Sequence, residues 1–221
     1  MTRQVTTQHP GALARRTIVA LWIWLATDVA QGLSCLWEAV QLNQLSTQDA
    51  ARAMAEKAAG PLDVMDCIAL AYPVTFLICG CFVLRWLYVV YRNAHAWNDS
   101  LPMSPGGNVG WFFVPIVHFW KPLQGVRQTW SATVAPARPD AAPLPGWIRL
   151  WWWLWVATII VGNLSFRLSL KADTPDTLIA VDAIFFATLA IDVPLVVLLR
   201  RLIVELSGMQ AARLEDRTTL A

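Results

Sequence analysis

Long apolar stretches recur along the chain and are separated by short polar connections. A helix that crosses a bilayer needs about 20 mostly apolar residues, because each residue rises about 1.5 Å through about 30 Å of hydrocarbon. Four stretches meet this requirement, at residues 17–40, 64–91, 146–166 and 177–206. Residues 1–16 and 207–221 are then the two tails. The pattern predicts an all-α fold, a bundle of four transmembrane helices.

Composition supports the membrane class. Of the 221 residues, 57% are hydrophobic and 14% are charged, whereas a soluble domain carries about a quarter charged residues. The first stretch follows Arg15 and Arg16, as the apolar part of a signal peptide would. It is longer than such a segment, Asp28 interrupts it, and no small-residue cleavage motif follows. We therefore expect it to be a retained anchor.

The Lys and Arg residues lie mostly on one side of the predicted spans. With a cytoplasmic N-terminus, that side holds most of the 17 basic residues, and only Arg52, Lys57, Arg167 and Lys171 lie outside. The inner set is Arg3, Arg15, Arg16, Arg85, Arg92, Lys121, Arg127, Arg138, Arg149, Arg200, Arg201, Arg213 and Arg217. Basic residues favour the cytoplasmic side. The asymmetry predicts a multi-pass protein of a bacterial inner membrane with both termini in the cytoplasm.

The central connection, residues 93–145, is the unusual part of the chain. It opens with NAHAWNDSLPMSPGGNVG, where Pro and Gly argue against a regular helix. GWFFVPIVHFWKP follows at residues 110–122, and its apolar run of ten residues reaches only about 15 Å as a helix. It is too short to cross the bilayer, and both of its ends belong to the cytoplasmic side. We therefore predict a re-entrant or interfacial segment, covering residues 105–135.

The second half of that segment, KPLQGVRQTWSATV, has a helical period. One face carries apolar side chains and the other carries polar ones, which is typical of a helix in the membrane interface. The apolar set is Leu123, Val126, Trp130 and Val134, and the polar set is Lys121, Gln124, Gln128 and Ser131. APARPDAAPLPG then reads as a stiff linker. On the outer side, STQDAARAMAEKAAGP predicts a short solvated helix, with Thr47 as its cap and Gly60 at its end.

Three motifs carry a family resemblance. YRNAHAW (residues 91–97), SPGGNVGWFFVPIVHFWKPLQGVRQTW (104–130) and WWWLW (151–155) resemble a bacterial family of small multi-pass membrane proteins that is catalogued only as a domain of unknown function. The resemblance implies four spans, a bacterial inner membrane and no established activity. One position departs from the pattern, because His118 stands where the family has Asn. The departure argues against a histidine chemistry common to the family.

Among the ionisable side chains of the predicted spans, four are the candidates for a role inside the membrane: Asp28, Arg85, Asp182 and Asp192. Each costs several kcal/mol in hydrocarbon, so each needs a partner or a function. Arg85 and Asp192 lie at similar depth, and we expect either an ion pair between them or an Arg85 that extends to the interface. Asp28 shares a helix face with Gln31, Gly32 and Cys35, which should face the bundle. Hydrogen bonding between helices is the favoured role for the aspartates, and a proton or cation path is the alternative.

Cysteine and histidine spacing gives little support for a cofactor. Cys35 and Cys67 could form a disulfide on an oxidising face, although free thiols are the default. Cys79 and Cys81 point about 200° apart on a helix and cannot pair. His9, His95 and His118 show no spacing typical of metal ligands. We expect no metal site and no cofactor.

The preferred interpretation is a non-catalytic membrane protein that docks a lipid or a membrane partner through its cytoplasmic interfacial segment. The candidate binding residues are Arg92, Asn93, Trp111, Pro115, His118, Trp120, Lys121, Arg127 and Trp130. The expected partners are membrane lipids, another membrane protein or a second copy of the chain, and no basic run suits nucleic acid. Two alternatives stay open: a proton-coupled carrier that uses Asp28 and Asp192, and an enzyme acting on a lipid or quinone with His118 as acid or base. The sequence identifies no catalytic residue.

Overall fold

The computed structural model describes residues 7–137 and 142–219, with side chains as far as Asp216. The predictions for Arg3 and Arg138, and for the side chain of Arg217, lie outside the described residues. The same holds for the middle of the proline-rich linker. Cys35, Cys67, Cys79 and Cys81 all lie in the described residues and are free thiols, so the structure has no Cys35–Cys67 disulfide.

All regular structure in the described residues is helical, as the sequence predicts. Four helices are long and apolar enough to cross a membrane, which fits a multi-pass membrane protein. In chain order the helices are α1 (Gly11–Asn43), α2 (Thr47–Ala59), α3 (Val64–Trp97), α4 (Pro105–Gly110), α5 (Lys121–Val134), α6 (Gly146–Ser169) and α7 (Pro175–Thr219). The candidate spans are α1, α3, α6 and α7.

These long helices continue beyond the apolar stretches that predicted them. Helix α1 begins at Gly11, within the predicted tail 1–16, and α7 includes most of the predicted tail 207–221. Hydropathy detects only the part of a helix suited to lipid, whereas the backbone hydrogen bonds of the helix continue into water. Helix ends therefore do not mark the ends of the spans, and the tail boundaries at residues 16 and 207 stay a prediction.

The described chain divides into two compact units. The first unit contains residues 7–21, 78–152 apart from 138–141, and the segment from 197 onward. The second contains residues 22–77 and 153–196. Each candidate span contributes one part of its length to each unit.

The core of the first unit consists of large side chains from α1, α3, α5, α6 and α7. Trp86 is fully buried, and its ring Nε1 donates to Ser207 Oγ at 2.9 Å. Thr17 Oγ1 donates to the carbonyl of Leu13, within α1, at 2.9 Å. The remaining fully buried large apolar side chains are Leu21, Val90, Tyr91, Val126, Ile148, Trp152, Leu202, Ile203 and Leu206.

The second unit has aromatic and hydroxyl contacts between its helices. Trp24 of α1 meets Phe76 of α3 edge to face, with ring centroids 5.8 Å apart. The hydroxyls of Thr27 and Thr75 lie 2.7 Å apart. Gly32 lies against Leu189, where an added Cβ would be 2.8 Å from Leu189 Cδ1. The predicted small, polar face of α1 therefore does pack against another helix.

Helix α2 forms over the predicted residues, with a different cap. Ser46 precedes the helix and accepts from the backbone N–H of Asp49 at 3.3 Å, whereas Thr47 lies inside the first turn. Lys57 Nζ donates to Glu38 Oε1 of α1 at 2.9 Å. Partial burial lowers the pKa of Lys57, but the bond to Glu38 and its charge raise that pKa more, so it lies above its ordinary value. The pair is half-exposed and contributes little to stability.

The start of the central connection is more helical than the sequence predicts. Helix α3 continues to Trp97, and α4 follows although three of its six residues are Gly. Ser104 caps α4 by accepting from the N–H of Gly107 at 3.1 Å, and Pro105 occupies the first helical position, where its missing N–H costs nothing. The prediction that Pro and Gly prevent a regular helix here was wrong for that reason.

Helix α5 has the predicted bounds, but a different buried face. Gly125 and Thr129 are buried, and so is Ser131, which was assigned to the polar face. Val134, which was assigned to the apolar face, is 45% exposed. Gly125 is buried because α4 and α3 approach α5 closely, and Ser131 is buried where its hydroxyl donates to the Ala142 carbonyl at 3.2 Å. Helix α5 is part of the first unit's core.

Candidate docking site

The candidate site has a polar base, formed inside the first unit around Asn93. The Asn93 side chain pairs with the backbone of Gln8: the Gln8 N–H donates to Asn93 Oδ1 at 2.9 Å, and Asn93 Nδ2 donates to the Gln8 carbonyl at 2.8 Å. Asn93 Nδ2 also donates to Gln210 Oε1 at 3.0 Å. Asn93 and Gln210 are fully buried. One side chain of α3 thus holds the segment before α1 and the distal part of α7.

Gln210 extends this network to α5. Its Nε2 donates to the carbonyl of Val90 at 3.1 Å and to Thr133 Oγ1 at 3.1 Å. Arg92 Nη2 donates to Gln8 Oε1 at 3.0 Å, and its guanidinium lies 6.0 Å from the centre of the Tyr88 ring. The polar base therefore connects α3, α5 and α7 with the residues before α1.

A close contact beside the base joins α4 to α5. Asn108 of α4 and Tyr91 of α3 are buried against Gly125 of α5. A Cβ on Gly125 would lie 2.6 Å from Asn108 Oδ1 and 3.3 Å from Tyr91 Oη. Glycine is required because any side chain here would overlap with the Asn108 amide. The SPGGN sequence thus sets the position at which the following loop begins.

Between α4 and α5 the chain forms a short apolar loop, the tip, at residues 111–120. It contains two turns of 3₁₀ helix, Trp111–Phe113 and Val117–Phe119. Between them, Val117 N–H donates to the Pro115 carbonyl at 2.7 Å, which closes a γ-turn around Ile116 at φ 66° and ψ −51°. A β-branched residue with positive φ is strained and needs a surrounding structure that imposes it. Phe113 and Ile116 are each 70% exposed, and Val114 and Trp120 are also exposed.

Contacts at the ends of the tip impose this conformation. Trp152 of α6 is buried, and its Nε1 donates to the Phe119 carbonyl at 3.0 Å. The Phe112 ring meets the Trp152 ring edge to face at 6.4 Å. His118 packs on Phe119 with ring centroids 4.1 Å apart, and its Nδ1 lies 3.3 Å from the Val114 carbonyl. The tip is therefore held in a defined conformation with its apolar end outward.

Positive charge lies beside the tip. Lys121 begins α5, and its Nζ lies 5.9 Å from the centre of the Trp111 ring. Arg127 is exposed six residues further along α5, about 9 Å along the helix axis. Pro115 and Trp120 are exposed, whereas Trp111 and His118 are half-buried. An exposed apolar end with neighbouring cations is a suitable surface for a membrane interface.

Two of the predicted binding residues lie inside the protein. Asn93 belongs to the polar base, and Trp130 is only 8% exposed, with its ring edge to face against Trp147 at 6.0 Å. Arg92 is half-buried on the base. These three side chains belong to the structure that supports the tip. The remaining predicted binding residues form the surface itself. The binding role of the set stays a prediction.

Comparison with known families gives a match that covers most of the chain. The family model for a domain of unknown function, DUF4328, matches residues 49–208. The chain belongs to the DUF4328 family. The expected family resemblance is thereby confirmed. Neither the curated proteins nor the solved structures gave a match.

Within this DUF4328 protein, the motif residues have clear structural roles. Tyr91 and Asn93 of YRN belong to the contact with Gly125 and to the polar base, and Ser104 and Asn108 of SPGGN fix α4. Sequence reasoning did not single out Gln8 or Gln210, and Trp152 entered it only as part of the WWWLW motif. The signal for Gln210 was its position on α7, four residues after Leu206, where it continues the buried face of Leu199, Ile203 and Leu206.

The four candidate intramembrane residues occupy different environments. Asp28 and Asp192 are at most 2% exposed and Asp182 is 6% exposed, all in the second unit, whereas Arg85 is exposed in the first. Neither Arg85 nor Asp192 takes part in an ion pair of the described residues, so the expected pairing finds no support. Asp192 Oδ1 instead accepts from Thr158 Oγ1 at 2.7 Å. No cluster of three metal-binding side chains occurs within the described ranges.

Proposed function

We propose that this DUF4328 protein is a non-catalytic protein of a bacterial inner membrane that docks anionic lipid through the tip, with both termini in the cytoplasm. The observation that carries the proposal is the exposure of Phe113 and Ile116 on the tip, which Trp152 holds in place through its hydrogen bond to the Phe119 carbonyl. Such a loop needs no rearrangement to meet a membrane. The γ-turn places Ile116 at a positive φ, which costs stability. A docking role accounts for the presence of this strained residue in the tip.

Apolar burial supplies the affinity. Full burial of one large apolar side chain contributes about 1.5–3 kcal/mol. Leaving Phe113, Val114, Ile116 and Trp120 in water would be unfavourable, and the bilayer that the four spans cross is the nearest apolar phase. Since spans α3 and α6 bracket the tip, it lies in the interface or dips into the leaflet and returns.

Charge selects the headgroup. In the orientation favoured by the Lys and Arg distribution, Lys121 and Arg127 face the cytoplasmic leaflet. A basic side chain near an anionic surface contributes about 1 kcal/mol. The tip is thus expected to prefer phosphatidylglycerol over phosphatidylcholine, because only the former has a net negative charge.

Replacing Lys121 and Arg127 with glutamine is expected to weaken retention of phosphatidylglycerol by about fivefold for each charge removed. The measurement is native mass spectrometry of the protein in detergent, titrated with phosphatidylglycerol or with phosphatidylcholine. Binding of phosphatidylcholine should be unchanged, because the apolar residues of the tip remain.

The matched control removes two exposed basic residues from the other connection, Arg167→Gln with Lys171→Gln, so the net charge is the same. Lipid docking at the tip is contradicted when both double variants lose phosphatidylglycerol equally or when neither responds. If the tip docks another protein instead of lipid, neither double variant changes the binding of phosphatidylglycerol.

A further inference from the structure

A second polar feature, independent of the tip, lies inside the second unit. Helix α1 places Asp28, Gln31, Cys35 and Glu38 at intervals of three or four residues, which puts them on one face. Gln31 Nε2 donates to Cys35 Sγ at 3.3 Å. Ten residues of helix correspond to about 15 Å, so a line of polar groups follows a large part of this unit.

Helix α7 faces this line with two carboxyl groups. The charge of Asp192 acts on Asp28, and the charges of Asp182 and Glu38 act on Cys35. The Glu38 end of the line opens into a cleft of about 320 Å³, also lined by Lys57 and Asp66. The Asp28 end is closed, because Asp28 and Asp192 are at most 2% exposed.

Asp28 lacks the donors that a buried carboxylate needs. Both of its oxygens are buried and without a hydrogen-bond partner. Asp182 Oδ2 and Gln31 Oε1 are also buried and unpartnered, although the Asp182 carboxyl is hydrogen-bonded with Cys35. Buried polar atoms almost always have a partner, so a row of unpartnered acceptors indicates that an atom or ion completes it.

No basic side chain neutralises the pair. The Lys and Arg residues of this unit are Arg52, Lys57, Arg167 and Lys171, which all belong to the connections or the helix ends beside them. Among the described ion pairs, this unit contributes only Lys57 with Glu38. Two buried carboxylates whose charges interact in a medium of low dielectric require a compensating positive charge.

The groups around the pair supply oxygen atoms. Helix α6 contributes the Thr158 hydroxyl, which donates to Asp192 Oδ1 at 2.7 Å. Helix α3 contributes the half-buried Tyr72, whose neighbours are Asp28 and Asp192. Thr188 lies beside Asp192 on α7. Carboxylate and hydroxyl oxygens are ligands for hard cations, and the set lacks the thiolates and imidazoles that softer metals prefer.

We propose that Asp28 and Asp192 together hold one monovalent cation, which is a sodium ion or a proton. One positive charge reduces the pair from two net negative charges to one. The unpartnered oxygens of Asp28 become the ligands of the ion, or one of them carries the proton. This site lies in the other unit from the tip and does not depend on lipid docking.

The test measures thermal unfolding of the full chain in detergent, at constant ionic strength. At fixed pH, sodium chloride is compared with choline chloride; a second series varies pH without sodium. If sodium is the ligand, it raises the wild-type midpoint by at least about 3 °C, and Asp28→Asn abolishes this rise. If a proton is the ligand, sodium has no effect, the wild-type midpoint rises as pH falls, and Asp28→Asn removes that dependence.

The matched control is Asp173→Asn, an exposed carboxylate of the same unit, which should respond as the wild type does. Asp192→Asn, which keeps the side-chain shape, provides a second variant of the pair. Because Asp28→Asn removes an uncompensated charge, its midpoint in choline should not fall. The proposal is overturned when the wild type, Asp28→Asn and Asp173→Asn have the same sodium and pH responses.

Discussion

Replacing Asn93 with alanine is expected to lower the free energy of unfolding by about 3 kcal/mol. The change removes the two hydrogen bonds with the Gln8 backbone and the bond to Gln210 Oε1. Alanine leaves the Gln210 amide buried with fewer partners, and each unsatisfied buried group costs about 1–3 kcal/mol. Chemical denaturation of the detergent-purified protein measures the loss.

Hydrogen exchange separates this effect from general weakening. Residues 8–14 should exchange faster in the Asn93→Ala variant, because Asn93 holds the segment before α1. Asn163→Ala is the matched control, since its amide is exposed and bonds only to the Ile159 carbonyl of its own helix. Equal losses in both variants would show that the polar base does not hold the fold together.

Replacing Gly125 with alanine should be nearly as damaging, with a loss of about 1–3 kcal/mol. The new Cβ would lie 2.6 Å from Asn108 Oδ1, a distance that real structures do not tolerate. The Asn108 amide is buried, so relief requires the amide to turn within the core or α4 to shift away from α5. The same measurement of unfolding applies.

A glycine with free space provides the comparison. Gly208 lies in α7 of the same unit, and a Cβ there would meet nothing within 4 Å. Gly208→Ala should be neutral or stabilising, since alanine favours helix by about 1 kcal/mol over glycine. A Gly125→Ala variant as stable as Gly208→Ala would refute the close contact between α4 and α5. Because α4 leads into the tip, the damaged variant should also lose its preference for phosphatidylglycerol.

The sequence predicted the helices better than their contacts. The four candidate spans and the bounds of α5 follow from hydropathy and period, which are local properties. The buried face of α5 does not, because Gly125, Thr129 and Ser131 are buried by other segments of the chain and not by their own apolarity. Such a face is set by which helices approach, and a single sequence does not contain that information directly.

The site was predicted in outline only. The apolar run and its Pro115 indicated an element that cannot cross the membrane, and the tip is such an element. Its geometry depends on Trp152, which lies 33 residues after Phe119, so local pattern could not reveal the bond between them. In the same way, Gln8 and Gln210 meet Asn93 from positions 85 and 117 residues away.

The claim that the tip enters the membrane is tested most directly by its depth in a bilayer. In a variant with the four native cysteines replaced, a fluorophore on Ile116→Cys is compared with one on Gln124→Cys, an exposed polar position of α5, in nanodiscs that contain phosphatidylglycerol. We predict that lipids with a spin label in the acyl chain quench the label at 116 far more than the label at 124. A water-soluble quencher should show the reverse order. Equal quenching at the two positions, or stronger quenching of 116 from water, would contradict insertion of the tip.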